Sequence, residues 1–315
     1  MKTVFTFRPP RTLQEEMKSK YPEADFLFYK SAEEAERLHE AEVIVTFGDD
    51  LTPEHIGSCP HLKWIMVASA GIDHLPLQAI ADRNILVTNA RGIHKVPMAE
   101  FTMGFMLNHV KRFPELRKLQ KEETWNKQLP LGELAGKQLL VLGTGAIGSE
   151  IARLAQAFQM KTMGLNRSGH PAEHFAEVHP TAELAEVLPE ADFVVAILPS
   201  TNETKGLLKE HHFQAMKETA AFINIGRGDI VEEQVLLDAL HNECFAHAYL
   251  DVFIEEPLPA GHPFWKHPRV TVTPHISSIT KRYLPRAFAI LDHNLKQYIQ
   301  GKSDFQNKID LTKGY

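Results

Sequence analysis

The stretch LLVLGTGAIG, residues 139 to 148, decides the fold. Four apolar residues run into Gly143, Gly145 and Gly148, and the helical pattern AIGSEIARLAQAF follows at once. An apolar strand, a G-x-G-x-x-G turn and an amphipathic helix open a βαβ unit suited to a dinucleotide. The first two glycines allow a tight turn and close approach of a pyrophosphate, and the third lets the helix pack on the strand. Ala146 and Ile147 then stand in the first helical turn, whose unpaired N–H groups meet the phosphates. A bare G-x-G-x-x-G is common. Here a strand precedes it, a helix follows, and a second strand pattern, KTMGLN (161 to 166), comes at the right distance.

The tip of that second strand is where an acid usually accepts a hydrogen bond from the adenosine ribose 2′-hydroxyl, about 20 residues after the glycines. This chain has Asn166, Arg167 and Ser168 there. A guanidinium and a hydroxyl can bind a 2′-phosphate by charge-assisted hydrogen bonds, and the missing carboxylate removes the repulsion that excludes one. The expected cofactor is NADP(H), with NAD(H) possible. The plain alternative is that Arg167 is a solvated loop charge.

Composition narrows the partners. At 315 residues the chain has room for two ordinary domains, and 43% apolar with 23% charged residues is average for a globular protein. Its 34 basic and 40 acidic residues are interspersed, so no basic face for nucleic acid or an anionic membrane is evident. A small soluble ligand is expected. Cys59 and Cys244 show no spacing pattern, no signal peptide opens the chain and no apolar run reaches membrane length, so the expected location is the cytoplasm.

Strand-like and helical patterns alternate on both sides of one long helical stretch. Strand patterns lie at 3 to 7, 25 to 29, 42 to 47, 63 to 69 and 85 to 89, with helical ones at 13 to 21, 33 to 41 and 75 to 84. From 96 to about 122 runs a helical pattern interrupted by Pro114. The alternation resumes from 138, with a helix to 157, another over 181 to 188, a strand over 192 to 199, one at 220 to 226 and a helix over 232 to 243. Strands at 247 to 253 and 270 to 274 and a helix over about 280 to 300 complete it. The expectation is α/β: two doubly wound parallel-sheet domains with a cleft between them.

Three further stretches, INIGRGDIVEE (223 to 233), LDVFIEEPLP (250 to 259) and VTVTPHISS (270 to 278), join LLVLGTGAIG in an order and spacing that resemble the D-isomer-specific 2-hydroxyacid dehydrogenases. The similarity extends to ASAGIDHL (68 to 75), VPMAEFTMGFML (96 to 107), the Trp125 region and LPSTNETKGLL (198 to 208), and so covers most of the chain. The resemblance implies a Rossmann cofactor domain, 98 to 283, inserted in a flavodoxin-like substrate domain made of 1 to 97 and 284 to 315. It also implies a homodimer.

For chemistry the resemblance implies reduction of a small 2-oxo acid, of the glyoxylate or hydroxypyruvate type, to the D-2-hydroxy acid. Arg227 would clamp the carboxylate, His275 would donate the proton and Glu256 would partner that histidine. Arginine's planar fork matches a carboxylate and can polarise the adjoining carbonyl. Histidine titrates near neutrality, and a nearby carboxylate stabilises its charged form. Small residues at Ala70 and Gly71 would let backbone N–H groups meet the substrate carboxylate.

On the cofactor side stand Leu198, Pro199, Thr204, Ile225 and Gly226, with Asp251 implied to hold the nicotinamide amide; locally, Asp251 reads equally as a turn-starting aspartate. Trp125 would wall a partner's cleft or simply pack. Ser277, Ser278 and Glu232 depart from the family pattern without touching the proposed acid or clamp. No metal is expected: His211 and His212 read as solvated, and HNECFAH (241 to 247) lacks metal-ligand spacing. Two other functions remain open: a cofactor-sensing binding protein of the same fold, and a phosphoglycerate-type dehydrogenase.

Overall fold

The computed structural model describes residues 1–72 and 74–311. Asp73 of the ASAGIDHL stretch and residues 312–315 of the expected tail lie outside them. The chain opens with β1 (Lys2–Phe5), α1 (Arg11–Lys20), β2 (Asp25–Phe28), β3 (Val43–Thr46), α2 (Pro53–Ser58), β4 (Trp64–Val67), α3 (Leu77–Ala81) and β5 (Leu86–Asn89). Then come α4 (Lys95–Lys111) and α5 (Phe113–Lys121). The alternation resumes with β6 (Gln138–Leu142), α6 (Ala146–Ala157), β7 (Lys161–Asn166), β8 (Glu177–Pro180), α7 (Leu184–Val187) and β9 (Phe193–Ala196). It continues through α8 (Glu210–Gln214), β10 (Ala221–Asn224), α9 (Glu233–His241), β11 (His247–Leu250), β12 (Val270–Val272) and α10 (Tyr283–Ile299).

By its internal contacts the chain divides into two units, Met1–Ile93 with the stretch from Thr280, and His94–Ile279. The first holds a parallel sheet in the order β2-β1-β3-β4-β5, the flavodoxin-like order. The second holds a parallel seven-stranded sheet, β12-β11-β10-β9-β6-β7-β8, a Rossmann order in which β6 lies between β7 and β9. Both are doubly wound. In β6, Leu140 and Leu142 join one buried cluster with Phe213, Leu236 and Ala239, while Leu139 and Val141 join another with Met98, Ile151 and Ala155. Successive side chains of a strand point to opposite faces, so a strand covered by helices on both reads as an unbroken apolar run. Each such leucine is worth about 1.5–3 kcal/mol when fully buried.

In the first unit, the return of the chain at α10 is fixed by aromatic packing. Phe288 stacks on Phe5 at 5.9 Å, Tyr298 stacks on Trp64 at 5.5 Å, and the Trp64 indole N–H donates to Thr88 Oγ1 at 2.9 Å. Among the described residues no helix is long and apolar enough to cross a membrane.

Some elements differ from expectation. The pattern over 33 to 41 is not an α-helix. Ala32, Ala35, Leu38 and Ala41 are buried at a strict spacing of three, and the N–H groups of Ala35, Leu38 and Ala41 each bond the carbonyl three residues back. Three residues per turn is the 3₁₀ period, and only Leu38–Glu40 is regular. The pattern over 181 to 188 likewise splits into 3₁₀ turns around α7. The long helix breaks at Arg112, not at Pro114: Arg112 adopts the left-handed conformation, and Pro114 sits in the first turn of α5, where no N–H is required.

The amino edge of the second sheet carries polar rings, with Tyr249 buried and His247 and His109 half-buried. His247, at the start of β11, bonds Thr271 Oγ1 through Nε2 at 2.9 Å and lies tilted over Tyr249, whose hydroxyl is 3.5 Å from His109 Nδ1. Burial pushes the His247 imidazole down to about 4, and the neighbouring His109 adds to the shift. The unfolded chain takes up that proton near pH 6.5 while the folded one refuses it until about 4, so stability falls as pH drops through this window. Between pH 7.5 and 5 the loss from this group is about 2 kcal/mol by linkage. Urea midpoints at the two pH values should therefore differ less for His247→Gln than for the unsubstituted protein; equal differences would place the acid sensitivity elsewhere.

Candidate active site

The glycine turn leaves β6 as the apolar run requires. Gly143 has φ +115°, and a Cβ there would lie 3.0 Å from the Ile197 carbonyl oxygen; at Gly148 a Cβ would come within 1.9 Å of the Gly143 oxygen. Both positions exclude a side chain because the turn packs on neighbouring backbone, and beside Gly145 there is open space. Gly145 caps α6 in extended conformation, and Ala146 and Ile147 open the helix. Its first N–H groups have no intrahelical partners and form an anion site. The cradle fits a dinucleotide.

The tip of β7 is built around Asn166. Its Oδ1 accepts from the N–H groups of Ser168 and Gly169 at 3.2 and 2.8 Å, and its Nδ2 donates to Thr144 Oγ1 at 3.0 Å and to the His170 carbonyl at 2.9 Å. The side chain shapes the loop and ties it to the glycine turn, while Arg167 and Ser168 stay exposed. Thr144 is a member of this region that the motif does not single out.

The loop after β9 carries Leu198, Pro199 and Thr204. Thr204 Oγ1 donates to the Pro199 carbonyl at 2.5 Å and accepts from the Thr201 N–H at 2.9 Å, so it closes the loop on itself. After β10 come Ile225, Gly226 and Arg227. The turn is pinned by Asn224, almost wholly buried, whose Oδ1 accepts from the Gly226 N–H at 3.1 Å and whose Nδ2 donates to the Arg227 carbonyl at 2.9 Å. The exposed Arg227 donates through Nη1 to the Gly226 carbonyl at 2.7 Å. Its charge is felt by His94 at the amino end of α4: burial first, then Arg227, pushes that imidazole below its ordinary value. Neither Asn224 nor His94 carries a pattern that the sequence would reveal.

His275 and Glu256 meet. Glu256 Oε1 accepts the Phe253 N–H at 2.9 Å, and Oε2 lies 2.7 Å from His275 Nδ1. His275 has φ +50°, uncommon for a residue with a side chain, and its N–H donates to the Asp251 carbonyl at 2.8 Å. The wholly buried Asp251 carboxylate accepts from Thr273 Oγ1 at 2.5 Å and the Ile276 N–H at 3.1 Å on Oδ1, and from the Ser277 N–H at 3.0 Å on Oδ2. Asp251 therefore grips the turn that presents His275.

These positions share one place. Asn166 ends β7, and Gly143, Leu198, Arg227, Asp251 and His275 follow the carboxyl ends of β6, β9, β10, β11 and β12 of the same parallel sheet, the edge where open α/β sheets bind ligands. Ala70 and Gly71 belong to the other unit, beyond β4, where Asn89 Nδ2 donates to the Ala70 carbonyl at 2.6 Å and Ser69 Oγ to that of Gly71 at 3.1 Å. His211 and His212 lie on α8 with rings 4.0 Å apart, and among the described residues no group of three or more His, Cys, Asp or Glu could hold a metal. Trp125 is 87% exposed and lines a shallow surface cavity with Leu116 and Leu119.

Comparison with known proteins agrees with this geometry. The family described as D-isomer specific 2-hydroxyacid dehydrogenase, NAD binding domain, matches residues 103–277. A glyoxylate reductase of Thermofilum pendens is 33% identical over 81% of this chain and 77% of its own. A D-isomer specific 2-hydroxyacid dehydrogenase family protein of Aeromonas salmonicida has a crystal structure that superposes with TM-score 0.86, at 32% identity over 98% of this chain and 99% of its own. An NADPH-dependent glyoxylate/hydroxypyruvate reductase of Sinorhizobium meliloti, solved in complex with NADP and sulfate, gives TM-score 0.78 at 25% identity over 100% of this chain and 99% of its own. The chain belongs to the D-isomer-specific 2-hydroxyacid dehydrogenases, with the nicotinamide dinucleotide site of that family on its His94–Ile279 unit.

Proposed function

We propose that the protein reduces a small 2-oxo acid of the glyoxylate or hydroxypyruvate type to the D-2-hydroxy acid, with His275 as proton donor and NADPH preferred over NADH. The observation that carries this reading is the 2.7 Å contact of Glu256 with His275 on the sheet edge that also bears Arg227 and the glycine turn. The names of the Thermofilum and Sinorhizobium relatives support the substrate class.

In this reading the Arg227 fork binds the substrate carboxylate, turning the neighbouring carbonyl toward the imidazole. The bound nicotinamide supplies the hydride that reduces the carbonyl carbon. Glu256 accepts from Nδ1 and so leaves Nε2 as the atom that gives its proton to the carbonyl oxygen; the carboxylate stabilises the imidazolium before transfer. In oxidation Nε2 takes the proton back. Asp251 acts one step removed, because its acceptors are engaged by the 273–277 turn; we assign it the placement of His275 in addition to any contact with the nicotinamide amide. Ala70 and Gly71 offer backbone N–H groups to a carboxylate. Gly143, Gly145, Ala146, Ile147 and Gly148 would cradle the pyrophosphate, with Leu198, Pro199, Thr204, Ile225 and Gly226 along the cofactor. Arg167 and Ser168 would hold the 2′-phosphate. A homodimer contact would have the exposed Trp125, Leu131 and Phe113 available to it.

Loss of NADPH absorbance on adding glyoxylate or hydroxypyruvate tests the activity, and a cofactor-sensing protein would show none. His275→Ala is expected to lower kcat by about 100- to 10,000-fold, the usual worth of a positioned acid, and a change of only a few-fold would move the proton to another group. In Asp251→Asn one amide N–H must face a donor of the turn, so kcat should fall by about 10- to 100-fold from misplacement of His275 while KM for NADPH changes little. A large rise in that KM with kcat preserved would favour the nicotinamide role alone. kcat/KM measured with both cofactors should be higher for NADPH, and equal values would defeat the preference.

A further inference from the structure

Arg167 and Glu203 form an ion pair through Nη2 and Oε1 although they stand 36 residues apart. Their loops leave the sheet at the carboxyl ends of β7 and β9, the two strands that flank β6. The pair therefore bridges over the mouth of the glycine turn. Both loops are held from within: Asn166 makes four hydrogen bonds that fix the first and tie it to Thr144, and Thr204 closes the second between Pro199 and Thr201. The backbone on each side is fixed, and only the exposed side chains, 82% for Arg167 and 61% for Glu203, are at liberty to part.

We infer that Glu203 is a cofactor-selecting residue. Its carboxylate closes with Arg167 across the groove that receives the adenosine half of the dinucleotide, so either cofactor must part the pair on entering. Only a cofactor with a 2′-phosphate returns an anion to Arg167; NAD(H) leaves the guanidinium without one. The inference rests on the NADP reading above and adds a second half to it: Arg167 rewards the phosphate, and Glu203 makes its absence felt. An exposed ion pair is worth little, so the handicap on NAD(H) is small, about two- to five-fold in affinity. A phosphate of charge near −2 with three acceptor oxygens outcompetes a single carboxylate for the same fork. The loops need not move for the exchange. Glu203 is already largely solvated and swings into water without a new partner.

The test is a set of equilibrium titrations of NADH and NADPH against the full chain and the variants Glu203→Gln, Arg167→Ala and the double variant. Glu203→Gln should bind NADH about two- to five-fold more tightly, and the same substitution made in the Arg167→Ala background should leave NADH affinity unchanged, because the pair is already absent. The gain should shrink in 0.5 M salt, where exposed charges are screened. NADPH should tighten in Glu203→Gln and weaken at least about tenfold in Arg167→Ala. Unchanged NADH affinity in Glu203→Gln, or a gain that persists without Arg167, overturns the closing role of the pair. An Arg167→Ala enzyme that binds NADPH as tightly as the parent overturns the 2′-phosphate assignment, and with it Glu203 as a selector, whatever the NADH titrations give.

Discussion

Gly148 packs so closely on the Gly143 carbonyl that a Cβ would come within 1.9 Å of its oxygen, and this contact fixes where α6 leaves β6. Much of the second unit follows from it. α6 lies down on the sheet beside α4, so Ile151, Ala152 and Ala155 are buried and one face of β6 is dry. The unpaired N–H groups of the α6 amino end open at the carboxyl edge, between the strands on either side. Thr144, inside the same turn, reaches Asn166 and so sets the loop after β7. Because β6 sits where the strand order reverses, loops from β7 and β9 diverge around that turn and leave a crevice.

A second constraint works at the other end of the same edge. His275 adopts a left-handed backbone, which for a residue with a Cβ costs on the order of 1–2 kcal/mol. Asp251 offsets that cost. Its carbonyl takes the His275 N–H, and its carboxylate takes the Thr273 hydroxyl and the next two N–H groups beyond the histidine. A buried carboxylate with three donors satisfies itself and leaves the turn one conformation. The ring of His275 can then stand exposed yet directed, steadied from its far side by Glu256, which is itself anchored on the Phe253 N–H. A rigid scaffold thus presents an exposed side chain in a fixed direction, the usual arrangement where loops carry function.

The parts of this design that are legible in the sequence are those written in consecutive residues. The apolar run 139 to 142 and the three glycines announce themselves locally, because parallel strands buried on both faces and tight turns each demand particular residues at fixed spacings, whereas the roles of Arg227 and His275 come only with the family motifs around them. Glu256 and Asp251 could be named only through the family resemblance. Thr144, Asn224, His94 and Glu203 could not be named at all: each acts through space on a residue far along the chain or through a hydrogen bond that any polar side chain could suggest. The stretch from 32 to 41 misreads for another reason. Spacings of three and of 3.6 differ by less than one residue per turn over so short a window, so a 3₁₀ run with alanines looks helical until its hydrogen bonds are seen.

The two edges of the second sheet use the same residue type in opposite ways. At the carboxyl edge, His275 is exposed and paired with a carboxylate. At the amino edge, His247 lies half-buried beside Tyr249, Thr271 and a second imidazole, and burial disfavours its charged form. Under the proposed role protonation serves chemistry at one edge, and it undermines folding at the other. The strands between them are continuous, so the two requirements meet in one sheet. The fold therefore loses stability as pH falls for a reason that lies at the edge away from the candidate site.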